Sequence, residues 1–177
     1  MPAVTVYLSS SPGQPAYVEA VEALAREIAA RELTLIYGGA HRGLMGKLAD
    51  AALGAGAKVI GVIPQALVDF EVAHRGLSEL HVVDNMHQRK ALLFDLADAF
   101  VVCPGGFGTL EEAFEVLVGI QLRYHTKPVV FLEIDEFWAP MAAFLDHAVA
   151  SGVLLPDVRA LFRTAPTAAA ALDLVGT

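Results

Sequence analysis

Cysteine is almost missing from this 177-residue chain, whose one example is Cys103. A lone cysteine excludes an intrachain disulfide and fits a reducing compartment. Basic charge is also scarce: twelve Lys and Arg stand against twenty Asp and Glu, for a formal charge of −8. The twelve are scattered, and polymeric nucleic acid needs a basic patch, so no nucleic-acid partner is expected. One small anion held by a few local cations stays compatible with this balance. Long apolar runs are missing as well. Hydrophobic residues make up 55% of the chain, yet no stretch approaches the roughly 18 uncharged apolar residues of a spanning helix. The opening "MPAVTVYLSS" has no basic flank and no long apolar core, so it reads as a strand rather than a signal peptide. These absences predict a cytoplasmic protein with no membrane partner, part of whose apolar surface is covered between subunits.

Several chemistries lack their signatures. The six histidines show neither H-E-x-x-H nor clustered Cys/His spacing, so no metal is expected. No G-x-S-x-G elbow occurs, and the first strand is followed by "SSSPG" in place of a G-x-G-x-x-G dinucleotide loop. None of the four lysines (Lys47, Lys58, Lys90, Lys127) has the distinctive setting that pyridoxal chemistry requires. Cys103 ends a predicted buried strand and reads as a core residue rather than a nucleophile.

What is present is alternation. Apolar blocks at 3–8, 33–39, 58–64, 79–84, 99–103 and 127–134 predict strands. Amphipathic segments at 15–31, 43–56, 85–97, 109–123, about 136–150 and 166–175 predict helices. Residues 65–77 read as irregular or partly helical, a lid or linker. There is no repeat and no composition shift. The pattern predicts one α/β domain over 1–177, a single Rossmann-like doubly wound parallel sheet with helices on both faces. Ligands of such sheets bind beyond the C-terminal strand ends, which here means loops 9–14, 38–46, 84–90 and 104–109.

Three of those loops carry unusual residues. "CPGGFGTLEEAFE" (103–115) sets Gly105, Gly106 and Gly108 between a strand and a helix, where exposed N–H groups and the helix dipole favour an anion. Thr109 and Glu112 have capping-box spacing, which explains neither the three glycines nor Glu111 beside Glu112. Thr109 is expected to cap the helix and also to offer its hydroxyl to a phosphate. "GGAHRGLMGK" (38–47) resembles a phosphate loop, but its first glycine would fall at His41 and Leu48 stands where Ser or Thr would hold Mg²⁺. Its glycines serve tight packing or a ligand equally well, with Arg42 or Gly43 placed to line a nucleotide cleft. In "DNMHQRK" (84–90), Asp84 or Asn85 is an N-cap, so Arg89 and Lys90 lie near the positive helix end, where the dipole mildly disfavours cations. Two adjacent cations on an acidic chain, at the ligand end of the sheet, suggest an anionic ligand; the alternative is an exposed pair answering the negative net charge.

Together, "PGGFGTLEE" (104–112) and "MHQRK" (86–90) resemble the two signatures of the Lonely Guy family of cytokinin riboside 5′-monophosphate phosphoribohydrolases. Both are complete: Pro104, Gly105, Gly106, Gly108, Thr109 and Glu112, with Met86, His87, Arg89 and Lys90. Relatives are often labelled lysine decarboxylases. The resemblance implies hydrolysis of the N-glycosidic bond of N6-modified adenosine 5′-monophosphates and of AMP, with no cofactor. Glu112 would stabilise the cationic sugar and handle water, while Arg89 would anchor the substrate and help stabilise charge. Met86, Gly105, Gly106, Gly108 and Thr109 would bind substrate, and Lys90 would add attraction at range or order the loop. It also implies a homodimer, with a hexamer as the alternative, and an active site near the interface. Three places depart from the family pattern: Leu8-Ser9-Ser10, Ala40-His41-Arg42, and Gly119 with Arg123. The rival is a non-catalytic nucleotide or molybdenum-cofactor carrier of similar fold, which needs the anion loop but not Arg89 with Glu112.

Overall fold

Successive residues of the central strands face opposite helical layers, and this alternation organises the fold. The computed structural model describes residues 2–70 and 72–177. Within 65–77, Glu71 lies outside the described residues. The order is β1 (Ala3–Tyr7), α1 (Pro15–Ala30), β2 (Thr34–Tyr37), α2 (Gly43–Gly54), β3 (Val59–Pro64), α3 (Gln65–Asp69), β4 (Glu79–Val83) and α4 (Met86–Leu96). Then come β5 (Ala99–Val102), α5 (Phe107–Gln121), β6 (Val129–Leu132), α6 (Ala139–Ala150), α7 (Pro156–Arg159), β7 (Thr164–Ala165) and α8 (Ala168–Leu174). The seven strands form one parallel sheet in the order β4-β3-β2-β1-β5-β6-β7.

Val4, Val6, Leu35, Tyr37, Val101 and Val130 pack in a core with the buried faces of α1, α2 and α8. Tyr7, Ile36, Val62, Phe100, Val102 and Phe131 pack in a second core with α4, α5 and Trp138. Helix α1 meets its layer through Val21, Leu24, Ala25 and Ile28, one stripe at helical spacing. Parallel strands covered on both sides read as continuous apolar blocks, as they do in this sequence. Thr34 is buried at the start of β2, and Thr5 is the polar residue deepest in the strands. It is fully buried, and its Oγ1 donates to the Leu93 carbonyl of α4 at 3.0 Å. Thr5→Val keeps the shape and removes this bond, so it should cost about 1–2 kcal/mol, read as a lower urea midpoint with unchanged slope. An unchanged midpoint would mean that the bond contributes nothing net.

Strand order turns back at β1 and β5, where neighbouring crossovers run to opposite sides and leave a crevice beyond the strand ends. Tyr7 pairs with Val102 in register, so the following loops leave the sheet side by side. The Cys103 amide donates to Tyr7 O at 2.8 Å, and the Ser9 amide to Pro104 O at 3.3 Å.

Some boundaries differ from the sequence expectation. Helix α6 begins at Ala139 rather than about 136, because Asp135 and Glu136 take left-handed conformations, φ 49° and 56°. The short β7 and α7 were not expected, since two to four residues show no periodicity. The stretch 65–77 opens with α3 and continues as a strap. His41 N donates to Val72 O and His74 N donates to Gly39 O, both at 2.9 Å, which pins the strap to the loop after β2.

Candidate active site

Helix α5 starts two residues earlier than its sequence suggests, and this places the site. Gly106 is its N-cap (φ −100°, ψ −149°) with no side-chain cap, and Leu110 N donates to Gly106 O at 3.0 Å. The expected Thr109–Glu112 capping box is therefore not formed. Thr109 is the third helical residue, and both it and Glu112, almost a turn further on, are turned inward and buried. A Cβ at Gly105 would run into the Thr109 side chain, so this glycine lets Thr109 pack beneath the turn. Around Gly106 and Gly108 the space is open, and both line a cavity. Backbone N–H groups of a first helical turn with no intrahelical acceptor suit an anion.

Helix α4 supplies the facing side. The Asn85 Oδ1 accepts from Gln88 N at 3.0 Å, and the Gln88 Oε1 accepts from Asp84 N at 2.9 Å, so the helix start is fixed from both directions. Arg89 then points inward, 7% exposed. Its Nε donates to Val62 O and its Nη2 to Gly38 O, each at 3.1 Å. The third nitrogen, Nη1, lies 3.7 Å from Glu112 Oε1 and 3.8 Å from Met86 Sδ. A side chain at residue 38 would collide with the guanidinium, so that glycine is a requirement of Arg89.

The cavity between these helices is about 270 Å³. Met86 and Arg89 line it from α4, and Gly106, Gly108, Thr109 and Glu112 from α5. Leu8, Ser9 and Ser10 line it from the loop after β1, and Met45 from α2. Six residues singled out in the sequence thus share one cavity. Gly105 sits behind Thr109. Lys90 lines a neighbouring cleft of about 320 Å³ with Tyr7, Phe94, Glu115 and His125. Its ammonium lies 2.5 Å from Glu111 Oε1 and 3.2 Å from Glu115 Oε2. Neither Arg42 nor Gly43 lines the 270 Å³ cavity; Gly43 (φ 56°) packs on the Ser10 and Ser11 carbonyls, and its turn orients the serine loop. Leu8, Ser9, Ser10 and Met45 had no assigned role in the sequence. The run "SSSPG" at the switch point was the available signal for the first three.

Electrostatics distinguish one carboxyl. Burial pushes Glu112 from 4.5 up to about 7, opposed chiefly by the Arg89 charge and assisted by Glu111 and Glu115. A carboxyl poised near neutrality, touching a buried guanidinium inside a cavity, is placed to exchange or withhold a proton. Tyr7 is held well above the usual phenol range, by burial first and then by Glu112 and Glu115, so its hydroxyl keeps its proton. Burial lifts the Cys103 thiol to about 12, which leaves it inert in the core. Among the described residues no helix is long and apolar enough to cross a membrane.

Known proteins share this chain's sequence and fold. A family model described as "Possible lysine decarboxylase" matches residues 45–175. The cytokinin riboside 5′-monophosphate phosphoribohydrolase of Rhodococcoides fascians is 48% identical over 158 residues, covering 88% of this chain and 80% of its own. The LOG enzyme of that name from Oryza sativa subsp. japonica is 43% identical, covering 93% of this chain and 69% of its own. Among solved structures, the molybdenum cofactor binding protein of Rippkaea orientalis superposes with a TM-score of 0.74 over 98% of this chain and 94% of its own. At 19% identity that likeness speaks for the fold alone. On sequence, both signatures and coverage, the chain belongs to the Lonely Guy family of cytokinin riboside 5′-monophosphate phosphoribohydrolases.

Proposed function

We propose that the protein hydrolyses the N-glycosidic bond of cytokinin riboside 5′-monophosphates, and of AMP, releasing the free base and ribose 5-phosphate. The observation that carries this reading is the buried Glu112 carboxyl beside Arg89, opposite a glycine turn in one cavity. A carrier needs the turn but gains nothing from a near-neutral carboxyl at its centre. The 5′-phosphate rests on the first-turn amides at Gly106, Gly108 and Thr109 and on the Thr109 hydroxyl, which fixes the sugar against Glu112. As the bond breaks, its electron pair leaves with the base and the ribose carbon becomes cationic. The Glu112 carboxylate stabilises that cation and orients the water whose oxygen bonds to the carbon. The water's proton leaves through the carboxylate, and the departing base takes up one proton. Arg89 holds the substrate and keeps Glu112 ionised.

The ionised form is the active one, so kcat/KM should fall about tenfold per pH unit below a midpoint near 7. The test is release of ribose 5-phosphate from AMP and from N6-isopentenyl-AMP between pH 5 and 9. Release from either nucleotide with that acid limb supports the reading; nucleotide binding without release overturns it in favour of a carrier. The unpaired buried Cys103 supports a cytoplasmic setting. A homodimer is supported by apolar side chains left in water on α5, α6 and the stretch after it, namely Val118, Leu122, Phe144, Val153 and Leu155. Light scattering should return twice the chain mass; the monomer mass would exclude it and three times the dimer mass would indicate a hexamer.

A further inference from the structure

The proposed chemistry turns on the charge of one carboxyl, and two helices surround it with charge. Arg89 and Lys90 face Glu112 from α4, and Glu111 and Glu115 flank it on α5. The Tyr7 hydroxyl, at the end of β1, feels the Glu112 charge and stays neutral. Arg89 is already committed to two carbonyls. Lys90 is different. Its side chain is only 13% exposed, yet its ammonium lies in the neighbouring cleft, across Glu111 and Glu115. Those two residues are four apart on the turn whose inner face carries Glu112, so Lys90 clamps the outside of that turn. Both glutamates are more than half exposed, and an ion pair in that setting adds little to stability. Three carboxyls on one turn would favour the protonated form of the buried member. A cation seated between the outer two offsets that repulsion.

We infer that Lys90, Glu111 and Glu115 form a charge-setting cluster for Glu112, in which Lys90 is a positioning residue acting through the two glutamates and not on the substrate. The catalytic consequence rests on the phosphoribohydrolase reading, but the effect on the carboxyl is a property of the free protein. Within the cluster Lys90 offsets the repulsion of the two outer glutamates on Glu112 without placing a second cation in the substrate cavity. There an ammonium would compete with the glycine turn for the phosphate.

The test is a carbon-13 NMR titration of the glutamate carboxyls in the free protein, with the Glu112 signal identified by its loss in Glu112→Gln. Lys90→Gln should raise the Glu112 midpoint by about half to one pH unit. Glu115→Gln or Glu111→Gln should lower it, and the triple glutamine variant, which removes two negative charges and one positive, should titrate at or below the parent value. The acid limb of kcat/KM should move with each midpoint. A midpoint unmoved in Lys90→Gln, or a raised KM for AMP with the limb in place, overturns the inference, the second by putting the ammonium on the phosphate. Midpoints that move as stated in a protein releasing no ribose 5-phosphate uphold the cluster and refute the activity instead.

Discussion

Glu112→Gln is expected to lower kcat/KM for ribose 5-phosphate release by about 10²–10³-fold or more while leaving the protein folded and no less stable above pH 7. The substitution keeps shape and volume at a site that is 5% exposed, and it removes only the ability to carry charge. The stability half follows from proton linkage. Glu112 is raised from 4.5 in the unfolded chain to about 7 in the folded one. The folded state therefore holds this proton more tightly, and the resulting stabilisation is complete below about 4.5 and lost as pH rises through 7. A rise of that size corresponds to on the order of 3 kcal/mol of stability forgone at pH 8. Glutamine escapes this cost, but Arg89 loses its counter-charge at 3.7 Å, which offsets part of the gain. The net expectation is a gain of between zero and about 2 kcal/mol at pH 8, shrinking toward pH 5, where the parent carboxyl is itself neutral. Melting curves at both pH values, run beside the activity assay, decide it. A variant that retains activity but melts several degrees lower at pH 8 would make Glu112 a structural residue.

That the same residue also fits a capping box shows where the sequence runs out. Thr109-x-x-Glu112 satisfies the box by spacing, but the start of a helix is set by backbone angles. Gly106 takes φ −100° and ψ −149° and begins the helix two residues early. The shift moves Thr109 off the cap position and rotates it, with Glu112, inward. Strands were legible because residues buried on both faces leave continuous apolar blocks, as in "AFVV" at 99–102. Both signatures led to the cavity through Met86, Arg89, Gly106, Gly108, Thr109 and Glu112, although Lys90 of the charged pair lines the neighbouring cleft. The carbonyls that hold Arg89 come from β3 and from the end of β2, far away in sequence, so nothing near position 89 announces them. The partners of Lys90 lie across a helix–helix contact and were equally hidden. The serine loop was visible as a loop at a strand end; that Ser9 and Ser10 face the same cavity depends on β1 lying beside β5.

Arg89→Ala is expected to abolish activity as fully as Glu112→Gln does, but with a loss of stability that Glu112→Gln does not show. Two of the three guanidinium nitrogens donate to backbone carbonyls at the ends of β2 and β3, and the third faces Glu112. Alanine removes all three contacts, opens a cavity, and leaves the carboxyl without its nearest cation. The loss should be about 2–4 kcal/mol in a urea titration, with the Glu112 midpoint displaced further above 7. Raising the pH should then recover all of the lost rate if Arg89 acts only by keeping Glu112 ionised, and only part of it if Arg89 also binds the substrate. Arg89→Lys separates the two contributions. An ammonium supplies charge but not a planar fork, so it cannot reach the Val62 and Gly38 carbonyls together while facing Glu112. Its stability should lie between parent and alanine variant, with activity close to that of the alanine variant. Full activity in Arg89→Lys would mean that charge alone suffices at this position. The glycine at 38, which leaves room for the guanidinium, would then serve packing and not the reaction.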